Sequence, residues 1–336
     1  MKTALITTTI NVPKVLALYR KLGPDVGFFL AADLKTPEEV ELFLLNECNA
    51  ETTGYISVEQ QKQNPYKCSK HIGWNTVRRR NIALLEALKW GADRIVTIDD
   101  DNIPIDMYSY FAHFPFSRNG IKATAPSGWF DAGQLMIPQT PHRGFPYDRR
   151  GLPAYEPVTD IKIGVADGLC LGDPDIDAVT RIANAPIVHG VSELARAGVV
   201  VDPKETWTVF NTQNTAFIRE LAPAMFCAPG LGRFDDIFAS LITQRVMREK
   251  GLHVHFGQPF VWQQRNSHNL VSDLKEETFG MENILAFAES LDCTTLPQED
   301  VATQIRLLYR NVPIGLIPEE TVDAALAWCD DVETVL

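Results

Sequence analysis

Three consecutive carboxylates, Asp99-Asp100-Asp101, close the apolar run Ile95-Val96-Thr97-Ile98. Such a triplet is costly at a strand end, because each charge raises the pKa of its neighbours. A hard divalent cation relieves the conflict: Mg2+ or Mn2+ favours carboxylate oxygens together with diphosphate oxygens. Alternate residues of an extended segment point the same way, so Asp99 and Asp101 share a face and are the candidate metal ligands. The competing reading is a solvated acidic turn that also caps a helix.

Three other segments could join this chemistry. Arg78-Arg79-Arg80-Asn81 carries guanidinium forks suited to phosphate, with Arg78 the candidate contact. Cations at a helix start oppose the dipole, which points to a bound anion or an acidic neighbour; the alternative is a solvated basic face. Gly232-Arg233-Phe234-Asp235-Asp236 sets two acids at a helix opening, a placement the dipole alone also favours. The segment Trp262 to Asn269 supplies Arg265, Ser267 and His268, with Lys275 beyond it. It offers two cations for a diphosphate and an imidazole able to bind metal, although a lone histidine is more often structural.

The elements that must position these groups alternate. Thr3–Thr9 reads as a buried first strand, residues 14–21 as a helix and residues 26–31 as a second strand ending at Asp33. Residues 37–46 open on Pro-Glu-Glu as a helix does. Residues 76–90 form a long amphipathic helix closed by Gly91. Arg94–Ile98 is the third strand. This alternation predicts a parallel α/β sheet. Residues 111–174, rich in Pro, Gly and aromatics, predict long ordered loops and short strands over the C-terminal sheet edge, where open α/β folds bind ligands. Residues 206–217 read as a strand pair, 234–250 as a helix, 254–261 as a strand and 277 onward as helical.

The chain has 336 residues, 45% hydrophobic and 22% charged, with a net charge of -12. This is an ordinary globular balance and ample for a substantial core. The negative field argues against a nucleic-acid partner. Six scattered cysteines, with no CxxC, read as free thiols in a reducing compartment. No secretory signal and no apolar run long enough to span a bilayer is present, so the expected location is the cytoplasm, with no membrane partner. A homo-oligomer is compatible with the sequence.

The strings TIDDDN, FPYDRRGLPA, VADGLCLGDPDIDAVTR and TVFNTQNTAFIRELAPAM followed by GRFDD together resemble the reversibly glycosylated polypeptide family. The resemblance runs from about residue 95 to residue 275. Plant members of that family are UDP-arabinopyranose mutases, and bacterial relatives include GDP-sugar mutases of nucleoside-antibiotic pathways. The resemblance implies a glycosyltransferase-A-like fold: a Rossmann-type sheet with helices on both faces over residues 1–275, and a helical C-terminal extension over 276–336. It implies that Asp99, Asp100 and Asp101 form the metal motif. It places the family's glycosylatable arginine at Arg150, with Arg149 as the alternative because the spacing to the following glycine differs by one residue. It places a polar strand position at Asn214 and an acidic pair at Asp235-Asp236.

The expected activity is therefore a metal-dependent interconversion of pyranose and furanose forms of a nucleotide sugar, with Mn2+ or Mg2+ as cofactor. A GDP-fucose or GDP-galactose type substrate is favoured and UDP-arabinose comes second. Arg149 and Arg150 would lie over the phosphates or the anomeric carbon, and Asp235 or Asp236 would orient hydroxyls or move the ring proton. Thr8 and Asp33, at the ends of the first two strands, are candidate nucleotide contacts by the same fold logic. The alternative is a glycosyltransferase with a separate acceptor. A non-catalytic partner subunit would be expected to lack the triplet or the arginine, and both are present.

Overall fold

The structure, a computed structural model, describes residues 1–64, 66–266 and 268–336. Its centre is a ten-stranded sheet, whose strands are β1 (Thr3–Thr9), β2 (Gly27–Ala32), β3 (Thr53–Ile56), β4 (Arg94–Ile98), β5 (Asn102–Pro104), β6 (Ser117–Thr124), β7 (Ala154–Gly172), β8 (Val199–Val201), β9 (Asn214–Ile218) and β10 (His253–Gln263). The order across the sheet is β3-β2-β1-β4-β9-β7-β6-β8-β10-β5, with a further β7–β10 pairing.

The first half follows from period-two patterning. Ala4 and Ile6 of β1 enter one apolar core, while Leu5 between them enters the other. Successive side chains of a strand point to opposite faces, so a strand buried on both needs helices on both. Helix α1 (Val15–Leu22) and α2 (Glu39–Glu47) cover the Leu5 face through Leu16, Tyr19, Val40 and Leu44. A short α3 (Val58–Gln63) follows β3, and α4 (Arg80–Trp90) covers the Ala4 face through Ile82, Leu84 and Leu85. It ends on Gly91 in the left-handed conformation expected of its C-cap. The start predicted at residue 76 is tighter than expected: Val77–Arg79 is a 3-10 turn leading into α4.

The parallel sheet predicted from the sequence holds only for β3-β2-β1-β4. Beyond β4 the sheet is mixed: β9 runs antiparallel to both β4 and β7, and β6 antiparallel to β7, whereas β10 is parallel to β7. Parallel neighbours need a crossover of a dozen or more residues, usually helical. Between β5 and β9 the only α-helices are the short α5 (Ala178–Asn184) and α6 (Glu193–Ala197). The expectation of only short strands before residue 174 is also corrected. Strand β7 spans 19 residues; its exposed first half pairs with β6, and its buried second half lies between β9 and β10. In the segment 206–217, Trp207–Thr208 pairs with Trp129–Phe130 in a separate small ladder, and only Asn214–Ile218 joins the main sheet.

Helix α7 (Asp235–Lys250) is buried along most of its length. After it come α8 (Leu270–Asp292), α9 (Val301–Asn311) and α10 (Glu319–Val335). The expected boundary at 275/276 falls inside α8, and residues of these C-terminal helices share one apolar core with the sheet. No helix is long and apolar enough to cross a membrane among the described residues. All six cysteines are free, and five are buried.

Trp328 ties α10 to that core. It is fully buried, stacks on Phe226 with ring centroids 5.0 Å apart, and donates its indole N–H to the Pro223 carbonyl at 2.8 Å. Trp328→Ala is expected to lower stability by about 3–5 kcal/mol, measured as a displaced urea-unfolding midpoint.

Candidate functional site

Thr8, Asp33 and Asp99 stand at the C-terminal ends of β1, β2 and β4, and together they line a cavity of about 780 Å3. Parallel strands end here with their following loops, so side chains from several segments converge. The 74–78 segment, Arg143, Asp175, the approach to the Asp235-Asp236 pair, and Gln263, Arg265, Asn266 and His268 supply further walls, and Ser267 lies outside the described residues.

The carboxylate triplet forms part of this wall. Asp99 accepts from Arg80 at 2.5 Å, and Arg80 also binds the Thr212 carbonyl at 2.8 Å. Arg80 is thus a structural cation rather than a free phosphate contact. Asp100 accepts from the Thr9 hydroxyl. Burial raises the Asp100 carboxyl, opposed by that hydrogen bond. Burial, then Asp99 and Asp100, push the Asp101 carboxyl up to about 7. One Asp101 oxygen is buried without a partner among the described residues. Unsatisfied acceptors of this kind cost free energy unless a cation or donor arrives.

The facing wall is built by the start of α7. The buried Arg143 guanidinium grips both Asp175 oxygens, at 2.8 and 2.7 Å, and both Asp236 oxygens, at 3.0 and 3.1 Å. Burial raises the Asp175 carboxyl, but Arg143 more than reverses this, leaving it well below the usual carboxylate range. Asp235 accepts from the Asp236 backbone N–H at 2.9 Å and faces Arg78 at 3.5 Å. Burial, then Asp236, push its carboxyl up to about 6, with Arg78 opposing.

Ten of the sequence candidates meet on the cavity: Thr8, Asp33, Arg78, Asp99, Asp100, Asp101, Asp235, Asp236, Arg265 and His268. Their roles differ from expectation in several places. Asp33 spends both oxygens on backbone N–H groups: Leu34 and Asn75 bind one, and Thr76 the other, each at 2.7 Å. It therefore fixes the 75–76 loop at the cavity rim. Arg265 lies 3.7 Å from Asp173 and 3.9 Å from Asp175. His268 leans on Asp273 at 3.3 Å.

Four candidates lie off the cavity. Asn214 is fully buried, donating to the Gly168 and Pro259 carbonyls at 3.0 and 2.9 Å and accepting from Tyr110. It joins β9, β7 and β10 and is not free for a nucleotide. Lys275 is exposed on α8. Arg149 closes a short turn outside the cavity and Arg150 follows it, lying over the Tyr147 ring. The cavity arginine from this region is Arg143, seven residues earlier, which sequence reasoning missed. Its partners, Asp175 and Asp236, are distant in sequence, and only the apolar neighbours in HRGFP hint at burial.

Among the described residues no three His, Cys, Asp or Glu side chains gather closely enough to hold an ion by themselves. The expected set Asp99, Asp101 and His268 is therefore not assembled as a protein cage, because His268 is engaged by Asp273. The donor chemistry does fit a cation held by one or two carboxylates and completed by substrate phosphates, the usual Mg2+ arrangement. The orphaned Asp101 oxygen supplies that fit. So does the charge balance: eight carboxylates line the cavity against six Lys and Arg side chains. A diphosphate entering such a wall is repelled unless a cation accompanies it.

Beneath the site, Asp167 is buried on β7 and accepts from Thr215 at 2.9 Å. Burial pushes its carboxyl up to about 7. A raised carboxyl contributes stability that is fully present below the unfolded value of about 4 and lost as pH rises through about 7. Asp167→Asn is expected to gain on wild type by on the order of a few kcal/mol as pH rises from 4 to 8, measured by chemical denaturation. Replacing Arg143 strands two buried carboxylates, so Arg143→Ala should cost about 3–5 kcal/mol, whereas Arg150→Ala should stay within about 0.5 kcal/mol in the same measurement.

Residues 94–315 match the family model described as reversibly glycosylated polypeptide, which is more than half of the chain. Among curated relatives, the chain is 30% identical over 230 residues to probable UDP-arabinopyranose mutase 2 of Solanum tuberosum, covering 58% of each protein. It is 29% identical over 195 residues to probable UDP-arabinopyranose mutase 1 of the same plant, covering 51% of this chain and 49% of the relative. It is 29% identical over 194 residues to UDP-arabinopyranose mutase 3 of Arabidopsis thaliana, covering 51% and 50%. The matches thus span about half the length of these relatives.

Proposed function

This chain belongs to the reversibly glycosylated polypeptide family, and on that premise we propose that it interconverts the pyranose and furanose forms of a nucleoside diphosphate sugar. The observation that carries the proposal is the shared cavity. The carboxylate triplet and Arg78 line the same volume as the Asp235-Asp236 pair, so leaving-group binding and sugar chemistry coincide. A volume of about 780 Å3 suits a ligand of this size.

The names of the relatives carry UDP, and this ranks UDP-arabinopyranose ahead of the GDP-fucose or GDP-galactose type sugars expected from the sequence. Arg78 and Arg265 orient the diphosphate, and Thr8 and the loop fixed by Asp33 border the nucleoside. Asp99 and Asp101 would hold Mn2+ or Mg2+. When bound, that ion supplies Lewis-acid stabilisation of the departing diphosphate.

Purified protein given UDP-arabinopyranose and Mn2+, with no acceptor, should produce an equilibrium mixture of ring forms dominated by the pyranose, followed by NMR. EDTA should abolish the conversion. Electron paramagnetic resonance should show Mn2+ binding that is tighter with UDP present and weakened by Asp101→Asn. Product that forms only after an acceptor is added would establish a transferase instead.

A further inference from the structure

A pyranose-to-furanose exchange requires one proton to change place with none gained or lost. The bond between C1 and the diphosphate breaks, and the electron pair leaves on the diphosphate. The C4 hydroxyl oxygen adds to C1 and releases its proton. The bond between C1 and the ring oxygen then breaks; the ring oxygen keeps the pair and takes that proton. A diphosphate oxygen finally adds back to C1. One carboxylate that accepts the proton and returns it satisfies this balance, and a second is redundant.

Most cavity aspartates outside the triplet are committed. Asp33 holds backbone N–H groups on both oxygens. Asp175 is held on both by Arg143. Asp236 is held on both by Arg143, and it also accepts from the Thr212 N–H at 3.3 Å. Asp235 is different. One of its oxygens accepts from the neighbouring Asp236 N–H, while the other, among the described residues, meets only the Arg78 guanidinium, at the loose distance of 3.5 Å. We propose that Asp235, and not Asp236, carries the proton between the C4 hydroxyl and the ring oxygen, and that Asp236 is a positioning residue holding Arg143 and the 212 backbone. This assignment rests on the mutase reading above.

Asp235 is also electrically suited to the task. Its surroundings are Asp236 on its own helix, Arg78 from the turn before α4, Arg143 beyond Asp236, the buried Cys227 thiol, and Arg233, His268 and Glu276 on the cavity wall. Burial and Asp236 outweigh Arg78 and Arg143, bringing the carboxyl to about 6. A base must be charged to accept a proton, so kcat should fall as pH drops through this group's pKa. Arg78 lowers that pKa, so removing Arg78 should move the fall to higher pH.

The test uses UDP-arabinopyranose turnover by wild type, Asp235→Asn, Asp236→Asn and Arg78→Gln across pH 4–9, with UDP affinity measured by calorimetry. Asp235→Asn should lose about 10²–10⁴-fold in kcat, hold UDP within about threefold, and show no acid limb in its residual rate. Arg78→Gln should shift the acid limb of kcat upward. Asp236→Asn should retain an acid limb. Turnover by Asp235→Asn within tenfold of wild type, or an unchanged acid limb in that variant, overturns the assignment and leaves the mutase reading intact. Wild type that never interconverts ring forms overturns both. Should Asp235→Asn not fold, an unshifted limb in Arg78→Gln overturns the assignment.

Discussion

Carboxylates crowded into one partly buried volume are the constraint on which the rest of the architecture depends. Eight line the cavity, and like charges at this density cannot remain ionised and desolvated without partners. The fold answers with three kinds of support. Guanidinium groups grip Asp99, Asp175 and Asp236. Backbone N–H groups neutralise Asp33. A single hydroxyl steadies Asp100. The incompletely supported groups, Asp101 and Asp235, are the two pushed furthest upward among the cavity acids.

This division separates scaffold from chemistry. The Arg143–Asp175–Asp236 assembly joins the 142–145 loop, the segment after β7 and the first turn of α7. All three members sit below 10% exposure, so its charges interact far more strongly than surface pairs do. Arg80 performs the same service between α4, the end of β4 and the 212 backbone. The cavity wall is held by ion pairs that cannot be loosened one at a time.

What could be read from the sequence follows the range of the signal. The strands β1 and β4, the Gly91 cap and the acidic triplet were legible because each is written in a few adjacent residues. Ten of the candidate residues do meet on the cavity. Strand β7 was not legible: its first half is exposed and polar and contains Pro157, so neither alternation nor an apolar run marks it. Arg143 was missed, and Arg149 and Arg150 preferred, because a guanidinium declares its role only through partners; those of Arg143 lie 32 and 93 positions away. Asn214 misled for a related reason. A polar residue in a strand reads as a ligand contact until the carbonyls it satisfies, Gly168 and Pro259, are seen.

The length of β7 has a mechanical consequence. One strand runs from the exposed ladder with β6 into the buried ladder between β9 and β10, so the two parts of the sheet share a continuous beam. Closing them on each other like a pair of jaws would bend that beam and break ladder hydrogen bonds on both sides of it. Breathing of the cavity therefore falls to its rim, where the 75–76 stretch is held by hydrogen bonds to Asp33. Traffic in and out becomes a matter of loop rearrangement over a stiff floor, at rates set by a handful of local hydrogen bonds.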